Sequence, residues 1–203
     1  MSALVAVVGN SGVGKTTLVR RLHEAGGFTL GLEQHAERPF QRPFASDLAR
    51  YALPNQVDYL LLRAEQELAM RIPSGIGLID GGLDFDFHVF SKFFPNRGYL
   101  SPSEFDLCAR LYALLRSLLP PPELIVRLVA PLEVVAERYA RRERRLEIAR
   151  LGDLPALERL LDEWLEAQAQ SPVLPVEVSQ DDPGFADVLP KLIEKIRTLD
   201  FDV

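Results

Sequence analysis

The sequence predicts an α/β protein: a five-stranded parallel sheet with helices on both faces, forming one domain over residues 1–203. Apolar, β-branched runs alternate with segments of helical period along almost the whole chain, the pattern of β-α-β units. The strand-like runs are continuously apolar, as strands covered on both faces must be. No repeat and no linker divides the 203 residues, a length that suits a single core.

Ala3–Val8 reads as the first buried strand, followed by a glycine-rich turn and a helix over Thr16–Ala25. Phe28–Glu33 reads as a second short strand, and Gln34–Phe44, with two prolines and no period, as loop. Gln56–Ile72 repeats Val57, Leu60, Leu61, Ala64 and Leu68 at three- and four-residue steps, which predicts an amphipathic helix. Ile76–Asp80 is a third strand behind the turn residues Pro73, Ser74 and Gly75. Ser103–Leu118 is helical up to the prolines at 120–122, which cannot continue a helix. Leu124–Val129 is a fourth strand, with Pro131 suited to open the next helix. Leu132–Arg150 and Leu154–Ala169 read as helices, Val173–Val178 as the fifth strand and Phe185–Leu199 as the closing helix.

Composition excludes several functions. With 23 basic and 29 acidic residues the net charge is −6, so the mean field repels phosphates and argues against a nucleic-acid or anionic-membrane coat. The N-terminal apolar run is too short to span a bilayer and lacks a basic flank, so no leader or membrane anchor is expected. A lone cysteine, Cys108, can form neither an internal disulfide nor a cysteine metal site, which fits a reducing, cytoplasmic setting. His23, His35 and His88 show no ligand spacing, and Cys108 and Trp164 fall on apolar helix faces.

The strongest chemical signal is Gly9-Asn10-Ser11-Gly12-Val13-Gly14-Lys15-Thr16-Thr17. It matches the phosphate-loop pattern G-x-x-x-x-G-K-[ST] and lies between a strand and a helix, the context the motif requires. Its glycines let backbone N–H groups converge as an anion nest, and the helix N-terminus adds partial positive charge. Lys15 is expected to reach the β- and γ-phosphates of ATP, and Thr16 to ligate Mg²⁺. The asparagines are Asn10, Asn55 and Asn96, none followed by lysine, so no guanine-reading N-K-x-D exists.

Beyond the phosphate loop, the chain resembles the deoxynucleoside kinase family of deoxyadenosine, deoxyguanosine and deoxycytidine kinases. The resemblance runs from about Leu4 to Val178 and is best over residues 99–120 and 124–138. It implies a nucleotide-kinase fold with an arginine-bearing lid at about 138–152, a homodimer, and a place in nucleotide salvage. Glu33, at the end of the second strand, matches the family's general base for the nucleoside 5′-hydroxyl. Gln56 and Arg63, seven apart on one helix face, match Q-x-x-x-L-x-x-R, whose amide and guanidinium serve the base. Asp86 and Phe90 match the base-contacting aspartate and stacking phenylalanine, although Phe90 alone would read as core. Asp80 matches the acidic position that helps hold Mg²⁺. Arg138, Arg142, Arg144 and Glu147 match R-x-x-x-R-x-R-x-x-E: arginines for the donor and the transferring phosphoryl, a carboxylate for the 3′-hydroxyl.

Three positions depart from the family. The arginine and serine that normally follow the acidic strand end are Gly81 and Gly82, and the tyrosine sharing the 3′-hydroxyl is Ala45. Three functions therefore stay open: phosphoryl transfer from ATP·Mg²⁺ to a deoxynucleoside, favouring a purine or amino-bearing base; transfer to another small hydroxylated substrate; or nucleotide binding with little turnover. Arg97 is a candidate to replace the missing arginine. Gln180, Asp181 and Asp182, after the fifth strand, are candidates to line the adenine of the donor.

Overall fold

In a computed structural model, residues 2–31, 38–72, 74–141, 150–178, 182 and 184–198 are described. The apolar run at the N-terminus forms β1 (Ser2–Val8), and Lys15–Gly26 form α1. The chain continues through β2 (Thr29–Gly31), α2 (Gln41–Ser46), α3 (Leu48–Arg71) and β3 (Gly75–Asp80). A single turn α4 (Leu83–Phe85) runs into a π-helix (Asp86–Ser91) and α5 (Lys92–Asn96). Then come α6 (Pro102–Leu118), β4 (Leu124–Val129), α7 (Leu132–Ala140), a 3₁₀ turn (Leu151–Asp153), α8 (Leu154–Ala167), β5 (Val173–Glu177) and α9 (Leu189–Thr198).

All pairings are parallel, in the order β2-β3-β1-β4-β5. The expected five strands are present, with helices on both faces. Along β1, Leu4, Ala6 and Val8 enter one core with residues of α3, α6 and α8, while Val5 and Val7 enter the other with α1 and α9. Fully burying a Val or Leu contributes about 1.5–3 kcal/mol, so this two-sided strand anchors both layers. Cys108 and Trp164 are buried packing residues, as their helical positions predict.

The register sets the site. Val7 lies opposite Asp80, and the Gly81 N–H donates to the Val7 carbonyl at 2.9 Å. The turns leaving β1 and β3 therefore emerge side by side at the carboxyl edge of the sheet, where its strand order reverses.

Three elements differ from expectation. α3 begins two turns early and runs through Pro54. Asp47 caps it by accepting the Arg50 N–H at 3.1 Å, and Arg50, whose carbonyl loses its partner to the proline, is exposed. Gln41–Phe44, expected as loop, belong to α2, with Phe44 buried against Phe94 and Tyr99. Residues 83–96 carried no expected element, yet form a continuous helical segment. Its π-helical turns use an i→i+5 step, so its apolar residues do not fall at the 3.6 period that a sequence reading seeks. No described helix is long and apolar enough to cross a membrane.

Candidate active site

The phosphate loop has the predicted backbone. Gly12 and Gly14 sit at φ +94° and +118°, in the left-handed region, and Gly14 immediately precedes α1. Lys15 Nζ folds over the loop, donating to the carbonyls of Gly9 (2.9 Å) and Asn10 (3.1 Å). The Thr16 hydroxyl donates to the Asp80 carboxylate, bringing together the two residues predicted to hold Mg²⁺. A hydroxyl and one carboxylate suit that ion, which keeps waters and takes its other ligands from substrate phosphates. No group of three or more His, Cys, Asp or Glu that could hold a metal occurs among the described residues. Arg138 also reaches the loop, donating to the Val13 carbonyl at 3.1 Å.

Asn10 has a further role that the motif alone does not reveal. Buried at 3% exposure, its Nδ2 donates to the Leu154 carbonyl (2.9 Å) and to Glu158 (2.8 Å), while its Oδ1 accepts the Ser11 N–H (2.8 Å). The amide thereby ties the nest to the start of α8. Phe185, expected only as the start of a helix, packs instead beneath Gly14, where an added Cβ would meet its ring at 3.1 Å.

A second cluster lies behind the first. Arg63 pairs through Nε with Asp86 and donates through a terminal nitrogen to the Asp80 carbonyl (3.0 Å) and Gln66 (3.1 Å). Gln56, Arg63 and Asp86 are all buried, and Phe90 is half-buried with its ring edge-on to Phe85 at 5.7 Å. Phe85 links the clusters, since Lys15 Nζ stands 5.2 Å from its ring centroid. No motif flagged Phe85.

The glycine departure has a structural reason. Gly81 and Gly82 take φ +88° and +114°. A Cβ on Gly81 would meet Phe85 at 3.3 Å and Arg63 at 3.5 Å, and one on Gly82 would meet Ile79 at 2.8 Å. The turn is thus built for glycine, with Phe85 and Arg63 beside it. Arg97 does not stand in for the family arginine: it pairs with the buried Asp153 and lies over the Phe93 ring. Ala45 is exposed on α2, so nothing at that position replaces the family tyrosine.

A buried ionic network holds this turn, and sequence reasoning missed it because its members are far apart in the chain. Glu67 on α3, with no exposed surface, accepts the Leu83 N–H at 2.8 Å and two bonds from Arg116 on α6 at 3.0 and 3.2 Å. Burial pushes the Glu67 carboxyl up, against the opposing pull of Arg116. Burial also works against the Arg116 charge, but Glu67 and Asp84 outweigh it and hold the guanidinium above its ordinary value. The Tyr112 hydroxyl donates to Asp84 at 2.8 Å. His88 reaches that hydroxyl at 3.2 Å and stacks on Trp164. Burial, with Lys92 and Arg116 nearby, pushes the His88 imidazole down to about 4, so it is neutral near pH 7.

Of the predicted site residues, Gly9 to Thr17, Asp80 and Arg138 meet at the phosphate loop, Arg63 and Asp86 form the second cluster with Phe90 against Phe85, and Gln56 is buried two helical turns from Arg63 on α3. Glu33, Arg142, Arg144 and Glu147, with Gln180 and Asp181, lie outside the described residues.

Comparison with known proteins agrees with this geometry. The family model for deoxynucleoside kinase matches residues 5–199. A deoxyadenosine/deoxycytidine kinase of Bacillus subtilis is 23% identical over 184 residues, covering 89% of this chain and 85% of its own. A deoxyguanosine kinase of the same organism is 26% identical over 184 residues, covering 88% and 87%. The fold is shared with a deoxyadenosine kinase from M. mycoides solved with bound dCTP, at a TM-score of 0.80, 16% identity, and coverage of 97% of this chain and 100% of that one. The same kinase solved with its products gives a TM-score of 0.81. The chain belongs to the deoxynucleoside kinase family.

Proposed function

We propose that this enzyme transfers the γ-phosphoryl of ATP to the 5′-hydroxyl of a deoxynucleoside, with a purine or amino-bearing base preferred. The observation that carries this reading is the meeting of Thr16 and Asp80 beneath the phosphate nest, with the buried Arg63–Asp86 pair behind them. One cluster suits a triphosphate and its Mg²⁺, the other a polar heterocycle.

In this reading the loop N–H groups and Lys15 cradle the donor phosphates, and Arg138 adds a cation at their edge. Thr16 and Asp80 hold Mg²⁺, which neutralises phosphate charge when bound. Gln56, Arg63 and Asp86 read the base by hydrogen bonds, and Phe90 offers it an aromatic face. Glu33 takes the 5′-hydroxyl proton, Arg142 and Arg144 stabilise charge on the transferring phosphoryl, and Glu147 holds the 3′-hydroxyl, with 138–152 as a lid of one kinase domain. The test is transfer from labelled ATP to each of four deoxynucleosides, with Lys15→Ala as control. Product that depends on Lys15 is expected; none from any of them would sink the proposal.

A second reading, favoured by the glycine-built turn and by Ala45, is transfer to another small hydroxylated substrate. A panel of ribonucleosides and nucleotides separates the two.

The enzyme is further proposed to act as a cytoplasmic homodimer with no nucleic-acid or membrane partner. Leu61 and Leu68 on α3, and Leu107, Leu114 and Leu118 on α6, are exposed at seven- and four-residue steps, so each helix presents one apolar stripe outward. Sedimentation of the protein with and without Leu114→Glu tests that face.

A further inference from the structure

Asn55 is the least explained polar residue of the described chain. It has no exposed surface, yet neither its Nδ2 nor its Oδ1 has a hydrogen-bond partner among the described residues. The next residue, Gln56, is 2% exposed and its Nε2 is likewise without a partner there. Folded proteins pair the great majority of their buried polar groups, and each unpaired one destabilises the fold. A leucine would fill the Asn55 site without that penalty. Two neighbouring amides with unmet hydrogen-bonding capacity point to an arriving ligand.

The position identifies the ligand. At 100° per residue, Asn55 lies about 80° round α3 from Arg63, on the flank that carries the buried Tyr59 and the half-buried Gln66, and Gln66 accepts from Arg63. Gln56, Arg63 and Asp86, the proposed base readers, are withdrawn from solvent to the same degree, at 2%, 5% and 4% exposure. Arg63 and Asp86 are directed at each other, whereas the two amides have capacity to offer. Successive helix residues diverge by that same 100°, so their amides reach different atoms of one extended edge rather than a common atom.

We infer that Asn55 is a specificity-determining residue of the nucleoside site, pairing with a purine base alongside Gln56. An Asn amide offers both a donor and an acceptor. Together the residues offer two donor groups and an acceptor, spread over more than one side. A purine presents hydrogen-bonding atoms on both of its rings and can use them all; the shorter edge of a pyrimidine leaves Asn55 unmet. The inference rests on the kinase reading above and deepens it by assigning the base class.

The test compares wild type with Asn55→Leu and Asn55→Thr, measuring thermal stability without ligand and kcat/KM for deoxyadenosine, deoxyguanosine, deoxycytidine and thymidine. The wild type is expected to prefer the purines. Asn55→Leu should keep or raise the melting temperature while lowering purine kcat/KM about tenfold or more, with pyrimidines changing less than about threefold. Asn55→Thr, which retains a hydroxyl, should fall between, and it carries the test if the leucine variant does not fold. A wild type that prefers pyrimidines, a variant whose four substrates fall in parallel with its stability, or an unchanged preference overturns the role of Asn55 and leaves the kinase reading intact. A wild type that phosphorylates no deoxynucleoside overturns both.

Discussion

The phosphate loop and the turn after β3 stand side by side at one sheet edge, yet they are held in opposite ways. The loop takes its shape from its own backbone, with Gly12 and Gly14 in left-handed conformations, α1 beginning immediately after and carbonyls of the loop itself under Lys15, and Asn10 and Arg138 only add ties to α8 and α7. The Gly81–Ser91 segment is shaped from outside, by Glu67 on α3 and Arg116 on α6, with Asp84, Tyr112 and His88 completing the network. Local geometry tolerates change elsewhere in the chain. A turn held by distant buried charges does not, because removing one partner strands another.

That contrast is open to direct attack. The largest effect on stability is expected from Arg116→Met, which leaves the fully buried Glu67 and its neighbour Asp84 without a cation. Breaking a buried pair from one side costs about 3–5 kcal/mol. Urea unfolding should register that loss, and adding Glu67→Gln to the same protein should recover part of it; an Arg116→Met protein as stable as wild type would refute external support of the turn.

The next effect is a pH dependence centred on His88. Its folded-state value of about 4 lies below the ordinary 6.5, so the unfolded chain binds the proton first as pH falls. The stability it contributes is complete above pH 6.5 and is lost as pH drops from 6.5 toward 4, by about 2 kcal/mol after allowance for its partial burial. Melting curves of wild type and His88→Phe across that window should converge toward acid pH, the variant showing the shallower slope.

A smaller effect sharpens the glycine side of the comparison. Gly81→Ala should cost about 1–2 kcal/mol from its left-handed backbone alone. Gly81→Arg should be at least as destabilised and should gain no activity, because Phe85 and Arg63 flank the position. Recovery of activity in Gly81→Arg would mean that the turn rearranges freely. Asn10→Ala, which severs the loop from α8, should cost about 1 kcal/mol, read by denaturant unfolding.

Much of this was legible in the sequence because it depends on near neighbours. Alternating apolar runs specify a buried parallel sheet, and the phosphate loop is a contiguous string whose chemistry its residue types dictate. Even Arg63 with Asp86, 23 positions apart, could be anticipated through spacing shared with a family. Helical residues 83–96 escaped notice because a π-helix breaks the period by which helices are recognised. The helix expected from Gln56 instead begins at Leu48 and passes through Pro54, where the bereft carbonyl belongs to an exposed residue.

By itself, then, the sequence determined the sheet, the nucleotide nest and the family, each a matter of residues close along the chain or at fixed spacing. Tertiary structure alone decided why Gly81 and Gly82 replace an arginine and a serine, how Phe85 comes to stand between Lys15 and Phe90, and which buried amides are left with hydrogen bonds to give. Those outcomes depend on burial and on contacts between distant elements, because the worth of a polar group is set by what surrounds it once water has been excluded.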